Sequence, residues 1–313
     1  MTTVLIIGAG GFIGRHVAAQ VAAAGAMVVD AQAVKPGRRL DLLDADDRAA
    51  LIAGTDAEIL IHCAWVTEHG RFWTSDLNVA WERASADLFQ RFQSAGGRRI
   101  IGLGSCAEYD WTTGDERFVE QAPIRPHTLY GAAKARTATG LGRLAEETGI
   151  SHAWGRIFHL FGPGEPEARL IPLMIRAGLA RQPLDCGPGD ALRDFWDVRN
   201  LGAAIAALAV SATEGAVNLA SGSPSRIAGI GAIIEAYFGT EGLLRFNRRP
   251  LSPGEPMAIV ADTGRLRGEL NFCDPVSLPD GLRDCCRVVQ KADRAQMKGR
   301  KTRTERGPTC PPP

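Results

Sequence analysis

The 313-residue chain has no excess of charge, no long apolar run and no patterned set of cysteines, and each lack removes a class of function. The formal net charge is +1, so nothing marks the whole molecule as a nucleic-acid binder. No apolar run approaches the roughly 20 residues that span a bilayer, so no membrane role is expected. The opening "TVLIIG" is too short and too lightly flanked for a signal peptide, which makes the cytoplasm the expected location. The seven cysteines (63, 106, 186, 273, 285, 286 and 310) are odd in number and show no paired metal spacing. Adjacent Cys285 and Cys286 make a poor disulfide, so reduced thiols and no metal are expected. With 45% hydrophobic and 23% charged residues, the composition is that of a globular protein of one large domain or about two.

What is present is a rhythm of buried strands and helices. "TVLIIGAGGFIGRHVAAQVAAAGAMVVD" reads as strand, glycine turn, helix and strand. Val4 to Ile7 is a short apolar run suited to a strand buried on both faces. Gly8, Gly11 and Gly14 follow in the spacing G-x-x-G-x-x-G, and Phe12, Ile13, Val17 and Val21 recur at helical spacing until Gly25. Such a turn lets the backbone approach a pyrophosphate, while the helix start offers free N–H groups and the positive end of a dipole. Asp30, at the tip of the second strand, can accept hydrogen bonds from ribose hydroxyls. The alternative is a tight turn with no ligand. Strand, helix and acid together favour dinucleotide binding. The aspartate repels a 2′-phosphate, so NAD is expected, with NADP the alternative because Arg38 and Arg39 lie downstream.

The rhythm continues. "GRRLDLLD" reads as a third strand ending at Asp41–Leu42, with a helix through Ala53; Glu58 to His62 is a fourth strand, a helix runs from about Ser75 to Ala95, and "RRIIGLGS" is a fifth strand. Repeated βα units imply a Rossmann-type, doubly wound parallel sheet with ligands at the carboxyl ends of its strands. Residues 1–157 form the dinucleotide-binding domain, with a return of the chain near 195–222. Residues 158–289 form a smaller, mixed substrate-binding domain, where glycine and proline content rises. Residues 290–313 are basic and polar and are expected to be disordered.

The spaced marks Gly8/Gly11/Gly14, Asp30, Asp41–Leu42, "IHCAW", Asn78, Ser105, Tyr130-x-x-x-Lys134, "GRIFHLFGPG", "RDFWDV", "NLASG" and "ADTGRLRGELNF" together resemble the extended short-chain dehydrogenase/reductase superfamily, in its sugar-nucleotide epimerase/dehydratase branch. The resemblance runs from residue 3 to about 289. It implies a catalytic unit of Ser105, Tyr130 and Lys134. A free tyrosine has a pKa of about 10 and is a poor base at neutral pH. A lysine one helical turn away favours its phenolate, as does a positive nicotinamide ring. Ser105 would hold the substrate oxygen while Tyr130 takes its proton. Without Ser105, the Tyr–Lys pair would read as packing plus a solvated charge.

The resemblance further implies that Gly8, Gly11, Phe12, Ile13, Gly14, Asp30, Asp41, Leu42, Ala64, Tyr130 and Lys134 contact the cofactor. Asn78, His159 and Arg193 would serve a nucleoside-diphosphate sugar. Arg193 matches a diphosphate-binding arginine, with Asp194 orienting it; a surface ion pair is the alternative. Asn78 could equally be a capping amide and His159 a satisfied structural histidine. A second phosphate arginine would be Arg248 or Arg249. Dehydratases of the branch carry an acid pair directly after the active-site Ser/Thr, whereas this chain has Cys106 and Ala107, with Glu108 one residue too far along. Dehydration and decarboxylation are therefore disfavoured. C4 epimerisation through a 4-keto intermediate is the favoured reaction, reduction of a 4-keto-6-deoxy nucleotide sugar the alternative, and a non-catalytic dinucleotide sensor a remote one. A homodimer is the oligomer the resemblance implies.

Overall fold

The computed structural model describes residues 2–30, 40–66, 68, 70–114, 117–251 and 254–305. The apolar run at the start of the chain divides between two layers: Val4 and Ile6 enter one core and Leu5 and Ile7 the other. Successive side chains of a strand point to opposite faces, so a strand covered on both sides reads as unbroken apolar sequence.

The first half runs β1 (Thr3–Ile7), α1 (Gly14–Ala23), β2 (Met27–Asp30), α2 (Ala45–Ala53), β3 (Ile59–His62), α3 (Leu77–Ser94), β4 (Arg99–Ser105), β5 (Arg117–Phe118), α4 (Leu129–Thr148) and β6 (Ser151–Ile157). The second half runs β7 (His159–Phe161), α5 (Leu170–Ala180), β8 (Leu184–Asp185), β9 (Leu192–Arg193), β10 (Phe195–Asp197), α6 (Val198–Val210) and β11 (Gly215–Leu219). It ends with β12 (Ser225–Arg226), α7 (Ile227–Phe238), β13 (Leu244–Arg245), β14 (Ala258–Ala261), α8 (Gly264–Gly268) and α9 (Leu278–Glu305).

Six strands form a parallel sheet in the order β2-β1-β3-β4-β6-β11. Val17 and Val21 of α1 and Leu201, Ile205 and Leu208 of α6 cover one face. Leu51 of α2, Phe89 and Phe92 of α3, and Leu141 and Leu144 of α4 cover the other. This is a doubly wound α/β fold. The chain leaves the sheet after β6 and returns with α6 and β11. Beside it, α5, α7 and α9 enclose a second core that includes Phe161, Met174, Ile230, Ile234 and Leu282.

Two expectations are corrected. Residues 31–39, with Arg38 and Arg39, lie outside the described residues, and the strand expected to end at Asp41–Leu42 is a turn there. The Asp41 carboxylate accepts from the Leu43 N–H, and the Asp47 carboxylate accepts from the Asp41 N–H. Asp44 then caps α2 by accepting from Asp46 and Asp47. Aspartate chemistry of this kind competes with a ladder for the same backbone groups. The basic segment after residue 289 is helical as far as Glu305. Leu282, Cys285 and Cys286 anchor the start of α9 in the second core. Lys, Arg, Gln and Ala are good helix formers, so they extend a helix already nucleated. Residues 306–313 lie outside the described residues.

Candidate active site

The glycine turn is shaped by close approach. Gly8 has φ 82°, and a side chain there would press on the Ala64 backbone, 3.0 Å from its nitrogen. A side chain on Gly14 would run into the Gly8 carbonyl, and the Gly11 N–H donates to that same carbonyl at 3.0 Å. No side chain caps the start of α1 at Ile13, so the positive end of the helix dipole is left open towards an anion. Asp30 stands in register with Ile6 at the adjoining strand end. Phe12 and Ile13 pack against the sheet core. Leu42 packs on the opposite core while Asp41 sits in the turn before α2. Gly8, Gly11, Gly14, Ala64 and Asp30 are thus brought together, and this cradle fits a dinucleotide.

Ser105 closes β4, two strands from this turn. Thr128 caps α4 by accepting from the Gly131 N–H at 3.0 Å, which starts the helix one residue before Tyr130. A side chain on Gly131 would collide with the Ala107 carbonyl, so glycine is what lets α4 press against the Ser105 turn. The Ser105 hydroxyl stands beside the Tyr130 phenol, where it acts against the effect of burial on that group. Lys134 is buried; its ammonium donates to the Leu103 carbonyl at 2.8 Å and lies 3.7 Å from the centre of the Trp65 ring. Phe72 and Trp73 meet Tyr130 edge-on, with ring centres 4.9 and 5.6 Å away, and the Tyr130 N–H donates to the Trp73 carbonyl.

The electrostatics differ from the expectation in one respect. Burial pushes the Tyr130 phenol above its ordinary value, with Glu108 and Cys106 adding to the rise and Ser105 and Arg169 opposing it. Lys134 is directed to Leu103 and Trp65 instead. Burial also pushes Lys134 down to about 7, against the attraction of Glu108. A buried pair of this kind stores charge preferences that a bound cation can reverse.

Cys106, Ala107 and Glu108 form a 3₁₀ turn, not the extended backbone expected. Glu108 is fully buried beneath it, accepting from the Ser105 N–H at 2.8 Å, from Trp154 Nε1 at 3.0 Å and from Arg156 Nε at 2.9 Å. Its role is to fix the end of β4. Burial pushes the Cys106 thiol up to about 12, so it is no ready proton donor or nucleophile.

A cleft of about 300 Å³ opens between β7, α5 and the segment leading into β9. His159 and Arg193 both line it. Arg193 donates to the Leu192 and Met257 carbonyls, and its other nitrogen meets Glu255 at 2.6 Å. Asp194 does not orient it: that carboxylate accepts from Ser221, Gly222 and Ala261, and so holds the "NLASG" turn. Asn78 stands apart, fully buried, with its amide bonded to Trp65 Nε1 and to the Phe72 and Ser75 carbonyls. Its work is to hold the loop that carries the aromatic cover of Tyr130. Arg248 and Arg249 donate their backbone N–H groups to the Cys186 carbonyl, beside the cleft wall at Pro250 and Leu251. Sequence reasoning missed Trp65, Glu165 and Arg169. The last two form an i,i+4 acid–base pair in "GPGEPEAR", a signal that could have been read.

The model of the NAD dependent epimerase/dehydratase family matches residues 4–220. The chain belongs to that family. Its cofactor is accordingly a nicotinamide dinucleotide. A dTDP-6-deoxy-L-talose 4-dehydrogenase (NAD(P)(+)) from Kitasatospora kifunensis is 29% identical over 240 residues, covering 71% of this chain and 74% of that protein. In fold the chain is similar to the UDP-glucose 4-epimerase of Thermus thermophilus in complex with NAD (TM-score 0.77, 21% identity, 90% of this chain and 97% of that one). It is likewise similar to DesIV, a dTDP-glucose 4,6-dehydratase from Streptomyces venezuelae with NAD and TYD bound (TM-score 0.79, 20% identity, 91% and 96% covered). Among the described residues no helix is long and apolar enough to cross a membrane, and no group of His, Cys, Asp and Glu is placed to hold a metal ion.

Proposed function

We propose that this protein interconverts a carbinol and a ketone at C4 of a nucleotide sugar, using NAD or NADP. The observation that carries the reading is the approach of the Ser105 hydroxyl to the Tyr130 phenol at the end of β4, with Lys134 one turn along α4. Gly8, Gly11 and Gly14 seat the pyrophosphate and Asp30 the adenosine ribose. Ser105 orients the sugar hydroxyl, and Tyr130 takes its proton as the carbon is oxidised or returns it on reduction. Bound in this seat, the nicotinamide supplies the hydride acceptor and a positive charge that favours the phenolate. Phe72 and Trp73 keep water from the phenol. Arg193 and His159 hold the diphosphate and sugar.

Two net reactions share this chemistry. Epimerisation needs no acid beyond Tyr130, and the absence of a carboxylate at positions 106 and 107 suits it as well as it suits simple oxidation or reduction. The Kitasatospora relative, a 4-dehydrogenase, favours the second outcome: oxidation of a 6-deoxy nucleotide sugar, or its reverse, reduction of a 4-keto-6-deoxy sugar. The test is incubation with a panel of dTDP- and UDP-sugars, with and without added NADP(H) or NAD(H). Stoichiometric turnover of added cofactor supports the dehydrogenase, cofactor-independent equilibration of C4 epimers supports the epimerase, and turnover of no nucleotide sugar refutes both.

A further inference from the structure

The cleft holds a carboxyl group left half-answered. The Glu165 side chain is 5% exposed, and its Oε2 has no hydrogen-bond partner. Its Oε1 lies 3.8 Å from Arg169 Nε, longer than a hydrogen bond. Glu165 lines the cleft together with Arg169, Arg193 and His159. Every charged or titratable group that faces it bears on its state. Arg169 at the start of α5 draws it towards the anion. Arg193 on β9 is already engaged by Glu255, and His159 on β7 is held neutral by burial, pushed down to about 3, with Nδ1 also unpartnered. Burial, with Asp197 and then Glu165 as negative neighbours, pushes Cys285 on α9 up to about 12, so it brings no charge. Asp197 is neutralised by Arg199 at 2.8 Å. One imperfect cation contact is all that balances a carboxylate at this position.

We propose that Glu165 binds the diphosphate of the ligand as a neutral carboxylic acid, its Oε2–H donating to a phosphoryl oxygen drawn in by Arg169 and Arg193, so that a nucleotide sugar and a proton bind together. This rests on the nucleotide-sugar reading above. An ionised Glu165 would repel the diphosphate from inside a dry wall. A protonated one supplies the donor that an anion needs and uses the oxygen that has no partner. Burial pushes Glu165 up to about 8, so the acid form is present at neutral pH and is lost in mild alkali. Linkage then makes apparent affinity fall as pH rises: about fourfold between pH 7 and 8.5 and about tenfold by pH 9.

The test is calorimetric titration of the full chain, saturated with NAD, with dTDP-glucose and UDP-glucose at pH 7.0 and 8.5, in HEPES and in Tris. The difference between the two buffers' heats counts protons. The expected result is uptake of most of one proton at pH 8.5, little at pH 7, and the fourfold loss of affinity. Glu165→Gln, neutral at every pH, should show neither proton uptake nor loss of affinity between pH 7.0 and 8.5. Base ionisation in the ligand is common to both proteins and cancels between them. Binding by the wild type without proton uptake overturns the proposal, as does equal uptake by Glu165→Gln. If neither sugar nucleotide binds the wild type at either pH, the ligand class itself is wrong and both readings fall.

Discussion

Replacing Lys134 by methionine should make the protein more stable while abolishing its chemistry. Burial holds Lys134 at about 7 against an ordinary 10.5. At about 1.4 kcal/mol per pH unit, that drop costs the folded state about 4–5 kcal/mol at neutral pH. The variant loses the bond to the Leu103 carbonyl and the contact with the Trp65 ring, together worth about 1–2 kcal/mol. The net gain at pH 7 is about 2–3 kcal/mol. Between pH 7 and 10.5 the unfolded chain keeps this proton and the folded chain does not, so wild-type stability rises with pH across that window. By pH 9 the advantage of Lys134→Met should therefore shrink by about 2 kcal/mol. Neighbouring His62, pushed down to about 3, and Cys63, pushed up to about 12, do not titrate between pH 7 and 9. Urea unfolding of both proteins at pH 7 and pH 9, compared at equal m-values, reads the difference directly. A variant less stable at both pH values, or an advantage that does not change with pH, would refute the reasoning.

Further expectations can be checked with the same preparations. Tyr130→Phe should keep its fold and NAD affinity, since the hydroxyl is a small part of the packing. Its turnover of nucleotide sugars should drop at least about 100-fold, and unaltered turnover would falsify the assigned proton transfer. Glu108→Ala strands a buried Arg156 guanidinium and the Trp154 and Ser105 donors, and should destabilise by about 3–5 kcal/mol, read as a lowered urea midpoint. Gly131→Ala should cost about 1–3 kcal/mol and turnover with it, because the new methyl pushes α4 off the Ala107 carbonyl and parts Tyr130 from Ser105; an unchanged kcat would show the close approach to be idle.

Those elements that bury apolar surface with a clear period were readable from sequence. β1, α1, β2, β3, α3 and β4 fall within about two residues of their expected bounds, because each is apolar on the face or faces it buries and ends at a glycine or polar cap. The turn at Asp41 was not readable, since Leu40 and Leu42 alternate as a strand does and only the backbone bonds of Asp41, Asp44 and Asp47 show the turn. The site followed the same division. Ser105, Tyr130 and Lys134 are picked out by the family resemblance their spacing helps to carry, whereas the partners that set their charge come from distant positions. Trp65 over Lys134 and Asp194 tied to the turn after β11 depend on tertiary approach that no local pattern encodes, whereas Glu108 folded back under Ser105 is a capping box whose S-x-x-E spacing is local. Glu108 also shows why alternation fails at such places: a 3₁₀ turn replaces the strand and rotates the third residue inward.

The aromatic cover of the site gives the molecule a built-in optical reporter. Trp65 rests against the Lys134 ammonium and Trp73 against the Tyr130 ring, while Trp154 hydrogen-bonds Glu108 on the far side of the same turn. Three of the chain's six indoles thus surround one small volume. A change in charge or solvent there should alter their emission, so events at this turn can be followed by intrinsic fluorescence without any label.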